Sequence, residues 1–148
     1  MLKSPHSCFI DCCEMAFKAK AEVIDETYRQ LCQVDAVDGY HTGVVNVIFF
    51  EAYGVGLTEV DFLPVNPDGE PIAGMDHITR GVSNWFKRPK FSCVVTGPRK
   101  DNGEEHANAF VGGRFICPVE GALDEPNIKL RSLWCLTVPK LRSEEEAE

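Results

Sequence analysis

The run Val44-Val45-Asn46-Val47-Ile48-Phe49-Phe50-Glu51-Ala52-Tyr53 (VVNVIFFEAY) decides how the rest of the chain is read. Only Asn46 and Glu51 interrupt its apolar character. β-branched and aromatic side chains fit a pleated surface, and apolar residues on both sides suit a strand in the middle of a sheet. Read as a central strand, the run makes a sheet the body of the protein. Gly54-Val55-Gly56 then turns the chain. Leu57 to Val65 alternates, with Val60 and Phe62 against Glu59 and Asp61, as a half-exposed antiparallel partner should. Asn66-Pro67-Asp68-Gly69 closes this segment with a strong turn signal, because proline presets φ and glycine accepts positive φ.

Upstream of that run the period changes. Ile10, Cys13, Phe17, Ala21, Ile24, Tyr28 and Leu31 recur at steps of three and four, the stripe of one amphipathic helix. Ser4-Pro5 or Ser7 can start it, and Asp35, Asp38 and Gly39 end it. Downstream, the spacing predicts a second, shorter helix from Asp76 to Arg88, with Met75, Ile78, Val82 and Trp85 or Phe86 inward and Pro89 as its stop. Three further strands follow: Lys90 to Thr96, His106 to Ile116, and Asn127 to Val138. In the last, Ile128, Leu130, Trp134, Leu136 and Val138 are assigned to one face.

The expected fold is therefore α+β. An N-terminal helix precedes a mostly antiparallel five-stranded sheet with a second short helix inserted, in the order α-β-β-α-β-β-β. Short connections favour antiparallel pairing, with helices on one face of the sheet. Residues 1–140 are read as a single domain. Residues 141–148, with Glu144, Glu145, Glu146 and Glu148, are read as an acidic disordered tail.

Composition narrows the function. The chain has 148 residues, enough for one real core, and a formal net charge of −8. No run approaches the roughly 18 apolar residues a membrane helix needs. Asp11 and Glu14 break any signal-peptide core near the start, so the expected location is cytoplasmic. Seven cysteines, an odd number that includes the adjacent Cys12-Cys13 pair, argue for reduced thiols over a disulfide framework. His6, Cys8, Cys12 and Cys13 crowd together, but no second ligand pair completes a zinc site, so no metal or other cofactor is expected.

Charge is divided unevenly. Residues 1–75 hold 4 basic and 12 acidic side chains, whereas residues 80–100 hold six basic and no acidic ones. Within that island Arg80, Asn84, Lys87 and Arg88 share one helix face, and Arg99 and Lys100 occupy a hairpin tip. A solvated helix face with cations suiting the helix dipole, and a polar turn, explain much of this. The functional reading is a surface for an anion. The acidic balance of the whole argues against nucleic acid, whose affinity depends on many neutralising cations.

The leading expectation is a small acidic binding or interaction protein of the accessory, inhibitor or immunity type. It would recognise an anionic ligand or an acidic protein surface through Arg80, Asn84, Lys87, Arg88, Arg99 and Lys100. A homodimer through an exposed sheet edge or the first helix fits the same reading. The alternative is a phosphoesterase or nucleotide-processing enzyme. His77-Ile78-Thr79 has the His-x-Thr form of two-histidine phosphoesterases, and His106 is its candidate partner. Such chemistry requires both histidines within hydrogen-bond reach of one substrate.

Overall fold

In the computed structural model, which describes residues 1–62, 66–68 and 70–137, the chain builds four helices and one six-stranded sheet. The helices are α1 (Cys8–Phe17), α2 (Ala21–Cys32), α3 (Thr42–Tyr53) and α4 (Asp76–Trp85). The strands are β1 (Gly56–Asp61), β2 (Cys93–Pro98), β3 (Glu105–Val111), β4 (Arg114–Cys117), β5 (Gly121–Leu123) and β6 (Ser132–Thr137). Every pairing is antiparallel, in the order β1-β6-β2-β3-β4-β5. Among the described residues no helix is long and apolar enough to cross a membrane. The acidic segment 141–148 lies outside the described residues.

The α+β class holds, but five strands become six and the element order changes. Residues 44–53 are not a strand. They form α3, with Val45, Ile48 and Phe49 buried at helical spacing while Val47, Phe50 and Tyr53 remain exposed. When both faces are apolar, period alone does not separate helix from buried strand. The ends decide it. His41 is extended and its Nδ1 accepts the Gly43 N–H at 3.1 Å, while Gly54, at φ 69°, takes up the left-handed stop. Asn46, the polar break in the run, accepts the Leu57 N–H at 2.7 Å and so ties α3 to β1.

The single N-terminal helix is two. Lys18 turns left-handed at φ 65°, and Glu14 Oε1 reaches across the break to accept the Ala21 N–H at 2.9 Å. One side chain thus caps the start of α2. The stripe survives the break, because Ile10, Cys13, Ala21, Ile24 and Tyr28 are all buried; Leu31 is exposed.

The expected strand 106–116 is a hairpin. Gly112 and Gly113, at φ 61° and 79°, are both left-handed, as a two-residue turn matched to strand twist requires. The loop between Pro118 and Pro126 contributes β5. β2 begins three residues later than expected, after Lys90 turns at φ 65°.

The last strand starts only at Ser132, because a bulge precedes it. Thr96 pairs with Ser132 and Arg99 bridges Ile128. Three steps along one chain therefore oppose four along the other, leaving an extra residue within 129–131. The bulge reverses the alternation. Ile128 and Leu133 pack together on one face, and Trp134 turns to the other, so the single face assigned to Ile128 and Trp134 is corrected.

Both faces of the sheet are covered, not one. On the first, Phe9, Ile10, Cys13, Ile24, Ile48 and Phe49 from the three N-terminal helices pack on Val94, Ala107, Ala109 and Trp134. Small alanines on β3 let α1 approach closely. On the second, Val82, Trp85 and Phe86 of α4 and its C-terminal turn meet Phe62, Val95, Phe110 and Leu133. Phe86 is the hub there, with ring centroids 4.8 Å from Phe110 and 5.6 Å from Phe62 and Phe115.

Candidate functional site

A cleft of about 420 Å³ opens between the helical layer and the sheet, within the size range of small-molecule sites. Its floor is Thr96, Ala107 and Trp134 on β2, β3 and β6. Its walls are Cys8 and Phe9 at the start of α1, and Gly39, Tyr40 and Thr42 around the start of α3. His6, Asp38, Glu59, Glu105, His106 and Arg131 supply the remaining polar lining.

The aromatic groups are held in place. The Phe9 ring meets the Trp134 indole edge-on, with centroids 5.4 Å apart, and Trp134 Nε1–H donates to Thr96 Oγ1 at 3.1 Å. Tyr40 donates its hydroxyl to Asp25 Oδ1, while the Tyr28 hydroxyl accepts the His41 N–H at 2.9 Å. These two bonds fix the wall formed by residues 40–42 on α2. Burial and the Asp25 carboxylate both push the Tyr40 phenol up, so it stays a neutral donor.

Electrostatics make the rim acidic. Asp38, Glu59 and Glu105 line the cleft with a single guanidinium, Arg131, which Glu105 engages with both carboxylate oxygens (Nη2 to Oε2 is 2.7 Å). Glu105, with smaller contributions from Glu59 and Asp61, raises the Arg131 pKa against the opposing effect of burial. His106 is held below the ordinary histidine range, first by burial and then by the positive Arg99, and is neutral at pH 7. Its Nε2 lies 3.3 Å from Cys117 Sγ. Burial also raises the Cys8 thiol, so neither cysteine chemistry nor a cationic histidine is favoured in this cleft.

The residues expected from sequence scatter over the molecule. Arg99 and Lys100 line a separate surface depression with Asp101, Glu120 and Glu125. There Arg99 is already neutralised, by Asp101 through two contacts of 2.9 Å and by Glu120 at 3.4 Å. Arg80 and Asn84 on α4, and Lys87 and Arg88 just beyond it, are exposed and, among the described residues, form no ion pair. β2 runs between the two groups of cations, so Lys87 and Arg88 stand at one end of a strand about 20 Å long and Arg99 at the other. His77 is exposed in the first turn of α4 and lines neither cavity, so it shares no cavity with His106.

Sequence reading missed most of the cleft. Trp134 reads as core, Glu59 and Arg131 as the outward side of their strands and Glu105 as a solubilising loop carboxylate, while Phe9 takes no part in the expected site. Among the described residues no group of three or more histidine, cysteine or acidic side chains is arranged to hold a metal. Comparison with protein-family models, curated proteins and solved structures gives no match.

Proposed function

We propose that this protein is a binding module whose ligand is a small organic amine or other cation with a flat apolar body, held in the cleft beside Trp134. One observation carries the reading: two fixed aromatic rings, Phe9 and Trp134, share a cleft with three carboxylates and a single, already paired, arginine. A ring face attracts a cation, and the rim carboxylates offer it a counter-charge. The same rim repels an anion, so the anionic ligand expected from sequence is not assigned to this cleft.

The test is a charge-matched pair of probes, phenethylamine and phenylacetate, followed by the Trp134 indole N–H signal in nitrogen-15 correlation spectra. The expected result is a saturable shift with the amine and none with the acid, weakened at least tenfold by Glu59→Gln with Asp38→Asn. A stronger response to phenylacetate, or none to either probe, defeats the proposal.

A second reading is supported by the cations of the α4 region, which form no ion pair among the described residues. Arg80, Asn84, Lys87 and Arg88 offer an exposed face for an acidic protein surface. Retention on immobilised polyglutamate should fall when Arg80 and Lys87 are both changed to glutamate, and the cleft substitutions should not alter it. Unchanged retention removes this reading and leaves the amine site standing.

A further inference from the structure

The register of the sheet places two cysteines opposite one another. Val94 pairs with Trp134 at the end of the β2–β6 ladder, and the same register carried one step further sets Cys93 opposite Cys135. Both side chains point to the same face, in the cluster around Val95, Phe110 and Leu133. The type of pair follows from the β1 side. Phe62 N–H donates to Arg131 O at 2.7 Å, while the Arg131 N–H turns within the bulge to Thr96 O at 3.0 Å; carbonyl direction alternates along a strand, so the Leu133 and Cys135 carbonyls, like that of Arg131, aim at β1. Cys135 and Cys93 are therefore a non-hydrogen-bonded pair, the closer kind, with Cα atoms about 4.5 Å apart. That is at the short end of the roughly 4.4–6.8 Å seen across disulfides. The two thiols differ in access. Cys93 is fully buried, whereas Cys135 is half-buried and lines a surface depression with Lys90, Phe91, Ser92 and Leu136.

We propose that Cys93 and Cys135 form a reversible disulfide site that responds to low-molecular-weight disulfides such as oxidised glutathione. The Cys135 thiolate, having released its proton to water, attacks one glutathione sulfur. A Cys135–glutathione bond forms, the glutathione disulfide breaks, and one glutathione thiolate leaves and takes up a proton. Cys93, deprotonated in turn, attacks the Cys135 sulfur. The Cys93–Cys135 bond forms and the second glutathione leaves as thiol. Two protein thiols are oxidised and one glutathione disulfide is reduced. Opposed strand positions hold Cβ atoms slightly farther apart than a relaxed bridge prefers, so the bond is strained, and strained disulfides are readily reduced. Burial keeps both thiols protonated, which makes the reaction slow. The five remaining cysteines lack this arrangement: Cys12 and Cys13 are sealed in the helical layer, Cys32 is exposed on α2, Cys8 opens α1, and Cys117 on β4 pairs with Gly121. The inference rests on register alone and is independent of the amine site.

The test uses the folded full chain. It is incubated with oxidised glutathione, blocked with N-ethylmaleimide and digested with trypsin without reduction. The expected product links peptide 91–99 to peptide 132–140, two hydrogens lighter than their sum. It should vanish on adding dithiothreitol, and fall at least tenfold when the oxidation is done in denaturing urea. Recovery of both peptides as maleimide adducts, or of peptide 132–140 as a lasting glutathione adduct, overturns the proposal. In Cys93→Ser the exchange should stop half-way, leaving that glutathione adduct on Cys135. Its absence also overturns the assignment, and if the variant does not fold, the linked peptide from the unmodified chain decides the matter.

Discussion

Trp134 Nε1–H and Thr96 Oγ1 meet at 3.1 Å, a diagonal contact between β6 and β2 on the floor of the cleft. It does two things at once. It satisfies the one donor of a largely buried indole, and it fixes the ring plane against which Phe9 packs. The bulge at residues 129–131 makes it possible, because without the extra residue Trp134 would face α4.

Thr96→Val tests this link. Valine keeps the shape and removes the acceptor, leaving the indole N–H unpaired at a cost of about 1–3 kcal/mol. Urea denaturation should show that loss with an unchanged slope. The Trp134 indole signal should move, and phenethylamine affinity should fall.

Two glycines should respond in opposite directions. A Cβ at Gly97 would run into the backbone carbonyl oxygen of Lys129, where the bulge closes on β2. Gly97→Ala must therefore push two central strands apart, and overpacking of this kind costs about 3 kcal/mol or more. Gly81, inside α4, has no atom within 4 Å of its Cβ position and an ordinary helical backbone. Gly81→Ala should stabilise the protein by about 0.5–1 kcal/mol through helix propensity. Denaturation midpoints of the two variants against the parent check both signs.

Legibility in the sequence tracked how local each signal was. The α1/α2 stripe, the α4 stripe and the turn at Asn66 are all written within a few residues, and the structure keeps them; Asn66 Oδ1 accepts both the Asp68 and Glu70 N–H groups. The break at Lys18 carries no glycine or proline, because a side chain from the previous turn, Glu14, makes it. The strand reading of residues 44–53 failed since β-branched residues favour sheets only until tertiary packing decides otherwise. The cleft was the least legible part. Phe9, Tyr40, Thr96 and Arg131 meet only through pairings such as Thr96 with Ser132, and a bulge whose position no local pattern announces. The cationic island was visible, but the carboxylates that neutralise Arg99 lie up to 21 residues away.

Asp11 is fully buried and accepts three hydrogen bonds: from Leu2 N–H at 2.7 Å, Lys3 N–H at 2.8 Å and Ser7 Oγ–H at 2.9 Å. It pins residues 2–7 against α1, which places His6 at the cleft rim. Asp11→Ala leaves these donors without an acceptor and should cost about 3 kcal/mol or more. Hydrogen exchange at Leu2 and Lys3 should accelerate at least a hundredfold, and Asp11→Asn should rescue little because its amide nitrogen accepts nothing.

His106 predicts the direction of a pH effect. Its folded pKa is depressed below the ordinary 6.5, by burial first and Arg99 second. Between the folded value and 6.5 the unfolded chain binds more protons, so stability rises with pH across that window. The contribution is fully present above 6.5 and is lost as the pH falls from 6.5 to the folded pKa. His106→Gln stays neutral throughout and keeps a polar group near Cys117. Urea midpoints measured from pH 7.5 down to 5 should therefore fall less steeply in His106→Gln than in the parent. Arg99→Gln, which removes the neighbouring positive charge, should move the His106 titration upward in proton NMR. A parent and His106→Gln pair with identical pH slopes would show that His106 titrates alike in the folded and unfolded chains.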